Sequence, residues 1–380
     1  MSGRTEGRGV LDGLRVADFS RVLAGPYATM MLADFGADVL KIEPPSGDDT
    51  RHWHPPVDTD GTATYFGSVN RNKRSVVLDL ATDAGRDDAH RLARTADVVV
   101  ENFRPGVMDR FGLDFTSIRA VNPGVVYCSI TGFGSGAGAG IAGYDLLVQA
   151  VGGLMSITGE PDGDPAKAGV ALVDVLCGQN AVSGILLALR ERDRTGHGQR
   201  VEVNLLQSLL SALTNQAASA LATGVPPRRL GNAHPSIAPY ATFRAADREL
   251  VVAVGNDKQF RALAEVLEQP GLADDPRFRS NADRVAHREA LTSLLEQRLA
   301  GAEAASWVDR LRTAGVPAGL VNDVTEAIAF AQRLGLEPVA EIGASQTVAN
   351  PIRLDAAPAA YRTRPPALND SAAVWRTERI

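Results

Sequence analysis

Short apolar runs alternate with amphipathic segments along the first half of the chain. Five of these runs have the length and β-branched content of buried strands, and they span residues 14–19, 37–43, 75–80, 97–101 and 124–130. Helical spacing follows at 26–35, where Pro26 suits a first turn, and at 85–95. Because strands that alternate with helices form parallel sheets with right-handed crossovers, the pattern predicts an α/β fold.

One acidic residue interrupts the most apolar stretch of the chain, residues 168–189. The run at 170–173 predicts another buried strand, with Asp174 at its end and a long apolar helix after it. A carboxylate there loses hydration, yet the carboxyl end of a strand is where α/β proteins place reacting groups. Asp174 is therefore expected to be either a helix N-cap or a catalytic carboxylate, and the pattern alone leaves both open.

The second half of the chain predicts a smaller unit. An Ala- and Leu-rich helix at 205–221 precedes a Pro- and Arg-containing linker at 224–229. The smaller unit then has short strands at 241–243 and 250–254, and helices at 257–267 and 288–299. The Pro-rich tail from Asn350 is expected to pack back on the first domain. The predicted domains are thus a large one at 1–221, a linker and small domain at 222–330, and a return segment at 331–380.

Composition limits the classes of function. The chain has 380 residues, of which 44% are hydrophobic, so it can bury a substantial core. Its formal net charge of −6 argues against a nucleic-acid-binding surface. Two cysteines imply no disulfide framework, and the N-terminal residues lack the apolar centre of a signal peptide. We expect a cytoplasmic protein with no membrane segment.

Charged clusters lie where predicted strands end. Residues 70–75 place three cations and two amides in one loop, and residues 101–106 add Phe103 and Arg104. Lys41 and Arg110 lie near the same predicted strand ends. Loops at the carboxyl ends of parallel strands share one edge of the sheet, where Arg and Lys suit phosphate oxygens and Phe103 suits stacking on a base. Ordinary solvated loops are the alternative interpretation.

Other motifs carry less weight. The glycine-rich run at 132–140 fits a permissive dinucleotide pattern, but a flexible loop explains it better. His52 and His54 have no further ligand at metal-binding spacing, so no metal site is predicted. Cys177 has no nearby histidine and is expected to be a buried apolar residue. His234 lies in a predicted turn that could line a site.

Taken together, the motifs resemble those of the class III coenzyme A transferases, the group that includes formyl-CoA transferase, carnitine CoA-transferase and α-methylacyl-CoA racemase. The resemblance runs from about residue 11 to residue 368. Its most specific segments are 11–16, 24–26, 36–45, 70–75, 101–106, 143–145, 173–174 and 255–260.

The resemblance implies a site and an architecture. Asp174 matches the family's catalytic nucleophile, and Leu23, Tyr144 and His234 match positions that line the substrate. It also implies a Rossmann-like large domain and a smaller α/β domain in a ring-shaped subunit, two of which interlock as a homodimer. Coenzyme A and acyl-CoA are substrates, and no metal or permanently bound cofactor is expected. The implied coenzyme A contacts are Arg21, Ala24, Lys41, Asn70, Asn72, Lys73, Arg74, Asn102, Phe103, Arg104 and Arg110.

The implied chemistry is covalent. The Asp174 carboxylate would attack an acyl-CoA thioester to give a mixed anhydride, then an aspartyl-CoA thioester that a carboxylic acid acceptor consumes. Backbone N–H groups near Gly178 are expected to stabilise the developing oxyanions.

Differences from the family pattern narrow the range of expected substrates. Leu23 stands where the formyl-CoA branch has an amide, and 222–240 lacks that branch's glycine run, which argues against oxalate and formate. Tyr144 stands where the racemase branch has histidine. Residues 231–240 resemble members that act on succinyl-CoA and dicarboxylic acids. The alternatives to CoA transfer are an acyl-CoA racemase or epimerase with Asp174 as base, and a non-catalytic CoA-binding protein.

Overall fold

The computed structural model describes residues 9–376. These residues form two compact units. The first contains residues 9–154, 167–225 and 335–376, and the second contains 155–166 and 226–334. The predicted change to a smaller unit at 222 and the return at 331 lie close to the observed changes, while no sequence signal indicated that 155–166 belongs to the second unit.

A parallel six-stranded sheet forms the centre of the first unit. Its strands are β1 (Arg15–Asp18), β2 (Asp38–Glu43), β3 (Arg74–Val77), β4 (Val98–Glu101), β5 (Val126–Thr131) and β6 (Arg200–Asn204). The strand order is β3-β2-β1-β4-β5-β6, the doubly wound order of Rossmann-like sheets. The predicted α/β class is therefore confirmed. β6 was not predicted, because its charged residues Arg200 and Glu202 interrupt the apolar signal.

Helices cover both faces of this sheet. In chain order the helices of the first unit are α1 (Ala24–Asp34), α2 (Thr64–Ser68), α3 (Asp83–Thr95), α4 (Phe115–Val121), α5 (Asp145–Val151), α7 (Leu172–Thr195), α8 (Leu205–Ala212) and α9 (Thr214–Thr223), with 3-10 helices at Asp49–His52 and Met108–Phe111. The short helix α6 (Leu154–Ile157) begins at the last residue of this part of the first unit and continues into the second. Successive residues of a strand point to opposite faces of the sheet, so they pack into two separate hydrophobic cores. Val16 packs with α1 and α7, and its neighbour Ala17 packs with α3 and α4.

The second unit is a three-stranded antiparallel sheet with helices. Its elements are β7 (Tyr240–Arg244), β8 (Glu249–Ala253), α10 (Asp257–Val266), a 3-10 helix (Pro270–Ala273), α11 (Asn281–Ala286), α12 (Arg288–Leu299), α13 (Ala304–Thr313), β9 (Ala318–Leu320) and α14 (Val324–Arg333). Its core is separate from those of the first unit. A hairpin of β10 (Val339–Ile342) and β11 (Ser345–Val348) follows in the first unit.

The predicted strand at 170–173 is wrong. Val170 is 64% exposed, and the chain enters α7 at Leu172. A short apolar run looks the same at the start of a buried helix as in a strand. Here the residues that follow continue as a helix, so the run leads into α7. Asp174 consequently lies at the third position of α7, and the N-cap position belongs to Ala171. The N-cap interpretation of Asp174 is wrong as well.

The predicted helix at 205–221 is divided. α8 ends at Ala212 and α9 begins at Thr214, whose φ of 40° interrupts the regular helical backbone. The Ala- and Leu-rich composition gave no signal for this break, because every residue around it is compatible with a helix.

α7 is the central helix of the first unit. By length and composition alone it could cross a membrane, but Cys177, Ala181 and Ile185 are fully buried in the core. It packs closely on α1, since a Cβ added at Gly178 would lie 2.7 Å from the Ala24 carbonyl oxygen. This close approach brings the start of α7 to the start of α1.

Asn72 attaches the C-terminal segment to the sheet. Its Nδ2 donates to Asp34 Oδ1 and to the Ala360 carbonyl, both at 2.8 Å. Its Oδ1 accepts from the backbone N–H groups of Arg362 and Thr363 at 2.7 and 3.1 Å. Asn72 has a φ of 63°, which asparagine tolerates better than most residues. The segment beyond Asn350 is therefore held by specific hydrogen bonds although it has no helix or strand within the described residues.

We predict that Asn72→Ala lowers the free energy of unfolding by about 2–4 kcal/mol, because four buried or partly buried hydrogen bonds lose their partner. Urea denaturation measures this loss, and limited proteolysis of the tail reports its release. Asn369→Ala is the matched control. Asn369 also has a positive φ of 59°, but it accepts one bond, from the Val77 N–H, and should cost about 1 kcal/mol. Equal losses for the two variants would contradict this role of Asn72.

Candidate active site

The loops after β1 and β4 meet at the carboxyl edge of the sheet. β1 and β4 are neighbours where the strand order reverses, the position at which doubly wound sheets bind ligands. Asn102 joins the two loops, since its Oδ1 accepts from the Arg21 N–H at 2.8 Å and its Nδ2 donates to the Arg21 carbonyl at 2.7 Å. The Arg21 guanidinium lies 4.9 Å from the centre of the Phe103 ring. Three of the predicted coenzyme A contacts are thus brought together.

Three other predicted contacts are completely buried beneath these loops. Lys41 Nζ donates to the Ser20 carbonyl at 2.9 Å and to Asp48 Oδ2 at 2.8 Å. Lys73 Nζ donates to Asn70 Oδ1 at 2.9 Å and to Asp18 Oδ2 at 3.2 Å. The side chains of Lys41, Asn70 and Lys73 therefore support the loops from below in this structure.

The remaining predicted contacts are more dispersed. Arg74 pairs with Asp38 at 2.9 Å, and Asn72 holds the tail as described. Arg110 is exposed in the 3-10 helix after Phe103. The predicted phosphate loop at 70–75 thus consists largely of buried, paired residues. Its partners Asp18, Asp34 and Asp38 are distant in sequence, which is why the charge pattern alone resembled a solvated cluster.

A small cleft contains Asp174 and the loop after β4. Its cavity volume is about 80 Å³, enough for a small acyl or carboxyl group but too little for a nucleotide. An adjoining cavity of about 250 Å³ shares Phe103 and Arg104 with it. The residues around the cleft include Ala24, Asn102, Phe103, Arg104, Thr131 and Asp174.

Asp174 is held in an environment that disfavours its charge. Burial, followed by the negative charge of Asp145, raises its pKa to about 7. Among the described residues, no hydrogen-bond donor to the Asp174 carboxyl oxygens is found. A carboxyl group that is half ionised near neutral pH, in a cleft, is typical of a functional group.

A second carboxyl group lies at the same edge. Glu101 ends β4 and lines the adjoining cavity. Burial raises its pKa to about 6, although it accepts a hydrogen bond from the Phe103 N–H at 2.9 Å. Glu101 holds the backbone of the loop that carries Phe103 and Arg104.

Two of the three predicted substrate-lining residues, Leu23 and Tyr144, are not among the residues around this cleft. Leu23 is buried against Met30 and Val69. Tyr144 is 64% exposed at the N-cap of α5. His234 belongs to the second unit, where its ring lies 5.3 Å from that of Tyr240.

The structure contradicts the expectation for Gly178 and agrees with the expectation for Cys177. The expectation of oxyanion donors near Gly178 is wrong, because Gly178 lies more than a turn inside α7, where backbone N–H groups bond within the helix. Cys177 is fully buried as expected, and burial raises the pKa of its thiol to about 12, so it stays protonated and unreactive. Within residues 9–376, no cluster of acidic, His or Cys residues could hold a metal ion.

Sequence reasoning gave no role to Asp145. Its carboxylate accepts from the N–H groups of Val173 and Asp174 at 2.8 and 3.3 Å. The signal was present in the motif at 143–145, but a single acidic residue at the start of a helix is usually read as a favourable charge for that helix alone.

The chain belongs to CoA-transferase family III, whose sequence profile matches residues 11–371. It is an enzyme of this family and transfers coenzyme A.

Individual relatives are similar over most of their length. The succinate–glutarate CoA-transferase of Agrobacterium fabrum is 47% identical over 329 residues, which cover 85% of this chain and 82% of the relative. The acetyl-CoA:oxalate CoA-transferase of Acetobacter aceti is 40% identical over 375 residues, 98% of this chain and 96% of the relative. A CaiB/BaiF family crystal structure from Brucella suis is 44% identical with a TM-score of 0.87, covering 96% and 97% of the two chains.

We predict that Asp174→Asn stabilises the protein more at pH 8 than at pH 5. The folded pKa of about 7 exceeds the unfolded value of 3.8, so the folded state binds the proton more tightly and stability falls as pH rises between these values. Asp174→Asn has no carboxyl group to ionise, so the variant avoids this loss of stability at high pH. The gain in free energy of unfolding, measured by urea denaturation, should grow by about 1–2 kcal/mol from pH 5 to pH 8 after allowance for solvent screening. If the gain in free energy of unfolding were the same at pH 5 and pH 8, the pKa of Asp174 would not be raised in the folded state.

Proposed function

We propose that this enzyme moves coenzyme A from an acyl-CoA donor to a dicarboxylic acid, with Asp174 as the covalent nucleophile. The observation that carries the proposal is the position of the Asp174 carboxyl group, in a cleft beside Asn102, Phe103 and Arg104, with a pKa raised to about 7.

The reaction proceeds without net oxidation. The Asp174 carboxylate attacks the thioester carbon, the C–S bond breaks, and coenzyme A leaves as a thiolate as the mixed anhydride forms. The thiolate attacks the Asp174 carbonyl, which forms an aspartyl-CoA thioester and releases the donor acid with one Asp174 oxygen. The acceptor carboxylate then attacks this thioester, and a second anhydride passes its acyl group to the thiolate. Asp174 is regenerated with one oxygen from the acceptor.

The environment of Asp174 suits this role. A carboxylate with a raised pKa is more basic than an ordinary aspartate, and therefore a stronger nucleophile once ionised. The small cleft limits the water around the anhydride, which would otherwise hydrolyse. Because Asp174 is mostly ionised only above pH 7, the rate of coenzyme A transfer should rise as the pH increases through that value.

The relatives support a choice of substrates. Similar enzymes include succinyl-CoA:glutarate and succinyl-CoA:mesaconate CoA-transferases, whose acceptors carry two carboxyl groups. We propose succinyl-CoA as donor and a dicarboxylic acid such as glutarate as acceptor. The resemblance of residues 231–240 to members using such acids supports this choice, and oxalate, the acceptor named for one relative, belongs in the same test panel.

Coenzyme A is proposed to lie along the loops at the sheet edge. Arg21, Arg104 and Arg110 offer charge to phosphate groups, and Phe103 offers a ring face. The buried residues Lys41, Asn70 and Lys73 would then contribute by fixing these loops. Racemase activity is the less supported alternative, since Tyr144 has no imidazole for an acid–base pair and projects into solvent.

We also propose the interlocked homodimer. Apolar side chains on four helices of the first unit are exposed, including Val151, Leu187, Leu210 and Leu221, the last two at 46% and 88%. Patches of this kind mark interfaces. Sedimentation velocity should show a dimer that persists at nanomolar concentration, because interlocked rings separate only on unfolding. A stable folded monomer on dilution would refute the assembly.

We predict that the peptide containing Asp174 is modified during turnover. Incubation with succinyl-CoA followed by hydroxylamine should convert Asp174 to a hydroxamate detectable by mass spectrometry, because hydroxylamine attacks both anhydrides and thioesters. Asp174→Asn should bind acyl-CoA with unchanged affinity yet transfer coenzyme A at least 1000-fold more slowly, on the order expected for loss of a nucleophile.

The control for this prediction is Asp87→Asn, an exposed carboxylate on α3 of the same unit, which should remain active and still form the Asp174 adduct. A folded Asp174→Asn enzyme with near-normal transfer, free of deamidation by mass, would exclude the nucleophile. Product analysis with glutarate, mesaconate, oxalate and formate as acceptors then identifies the acid.

A further inference from the structure

The first turn of α7 has no cap of its own. The N-cap residue is Ala171, whose methyl side chain cannot accept a hydrogen bond. The first N–H groups of a helix have no partner within the helix and need one elsewhere. Here Asp145 Oδ1, from α5, accepts from the Val173 N–H at 2.8 Å and from the Asp174 N–H at 3.3 Å. A neighbouring helix therefore provides the cap.

Gln149 fixes the second oxygen of that carboxylate. Gln149 is fully buried one turn after Asp145 on α5. Its Nε2 donates to Asp145 Oδ2 at 2.5 Å, and its Oε1 accepts from the Ala168 N–H at 2.8 Å. The segment 168–174 is thus attached to α5 at both ends. Since both oxygens of Asp145 are occupied, its orientation toward α7 is fixed.

We propose that Asp145 is a positioning residue for Asp174, which caps the helix turn that carries the nucleophile and keeps a negative charge beside it. The inference rests on the proposed function, because it assumes that Asp174 acts as an anion. The proposal has two parts. The geometric part is the hydrogen bond from the Asp174 backbone N–H to Asp145, and the electrostatic part is the negative charge of Asp145.

Other groups near Asp174 are neutral or exposed to water. Tyr65 faces it from α2, and Tyr65 stays protonated because burial and the negative charge of Asp174 raise its pKa to about 12. Cys177, one turn later on α7, stays protonated as described. Arg104, from the loop after β4, is exposed. Asp145 is therefore the close charge that most affects the ionisation of Asp174.

Two variants separate the parts of the proposal. Asp145→Asn keeps an oxygen for the two N–H groups and removes the charge. The acid limb of the pH profile of kcat/KM should then move to lower pH by about 0.5–1 unit. Asp145→Ala removes the cap as well, and kcat/KM should fall a further 10- to 100-fold through misplacement of the nucleophile. Affinity for coenzyme A, measured by calorimetry, should stay within about twofold in both, since the hydrogen bonds of the Asp145 side chain go to Gln149, Val173 and Asp174.

Thr82→Ala is the matched control. Thr82 caps α3 in the same unit, where its hydroxyl accepts from the Gly85 N–H at 3.1 Å. Its loss should leave kcat/KM within about twofold and the acid limb unmoved. An acid limb that stays at the wild-type pH in folded Asp145→Asn would overturn the electrostatic part, and normal kcat/KM in Asp145→Ala would overturn the geometric part. If Asp145→Ala does not fold, Asp145→Asn decides the electrostatic part, and Gln149→Ala, which releases Asp145 Oδ2, tests the geometric part through the same fall in kcat/KM.

Amide hydrogen exchange distinguishes failure of this inference from failure of the proposed function. The amides of Val173 and Asp174 should exchange faster in Asp145→Ala than in wild type and stay protected in Asp145→Asn, whatever the reaction catalysed. Unchanged exchange in Asp145→Ala would overturn the capping role itself. Active Asp174→Asn enzyme with the expected exchange would instead overturn the nucleophile and leave the cap established.

Discussion

A buried network of four charges fixes the loops from which the site is built. Asp18 at the end of β1 faces Lys73, and Lys41 on β2 faces Asp48. All four side chains are fully buried, so each charge depends on its partner, and removing one would leave another uncompensated. Burial opposes the ionisation of Asp18, but the charges of Lys73 and Lys41 outweigh it and lower its pKa.

The network also holds a strained backbone. Val22 has a φ of 68°, which is unfavourable for a β-branched residue. Its N–H donates to both oxygens of Asp48, at 3.2 and 3.4 Å. The same carboxylate binds Lys41, so the ion pair and the strained turn stabilise each other. This turn leads directly to Ala24, which lines the cleft opposite Asp174.

Much of this architecture could be predicted from sequence, and the failures have definite physical reasons. The five apolar runs became β1 to β5 because buried parallel strands are apolar on both faces. The run at 170–173 misled because only its continuation shows helical periodicity. The cations at 70–75 were expected at the carboxyl edge of the sheet, but they lead into the start of β3, and Arg71 and Arg74 pair with Asp34 and Asp38 on the amino side of β2. Their burial depends on Asp18, Asp34 and Asp38, and one sequence does not reveal such distant pairing. The role of Asp145 likewise appears only once α5 and α7 are placed side by side.

Asp174 illustrates a compromise between stability and activity. A partly buried carboxyl group without a donor destabilises the folded state whenever it is ionised, and a neighbouring carboxylate adds to that cost. The same features make the ionised group a strong nucleophile. A role confined to stability would favour a paired or neutral residue at this position, so the arrangement supports the proposed covalent role of Asp174.

The most direct test of this account is the fate of oxygen from the acceptor. The enzyme is turned over with succinyl-CoA and glutarate labelled with ¹⁸O in its carboxyl groups, in unlabelled water, and digested with trypsin. Residues 168–190 form one peptide, in which Asp174 is the sole acidic side chain. Covalent catalysis by Asp174 predicts that this peptide gains one or two ¹⁸O atoms. An unlabelled peptide after many turnovers, with ¹⁸O passing directly to the released succinate, would contradict it.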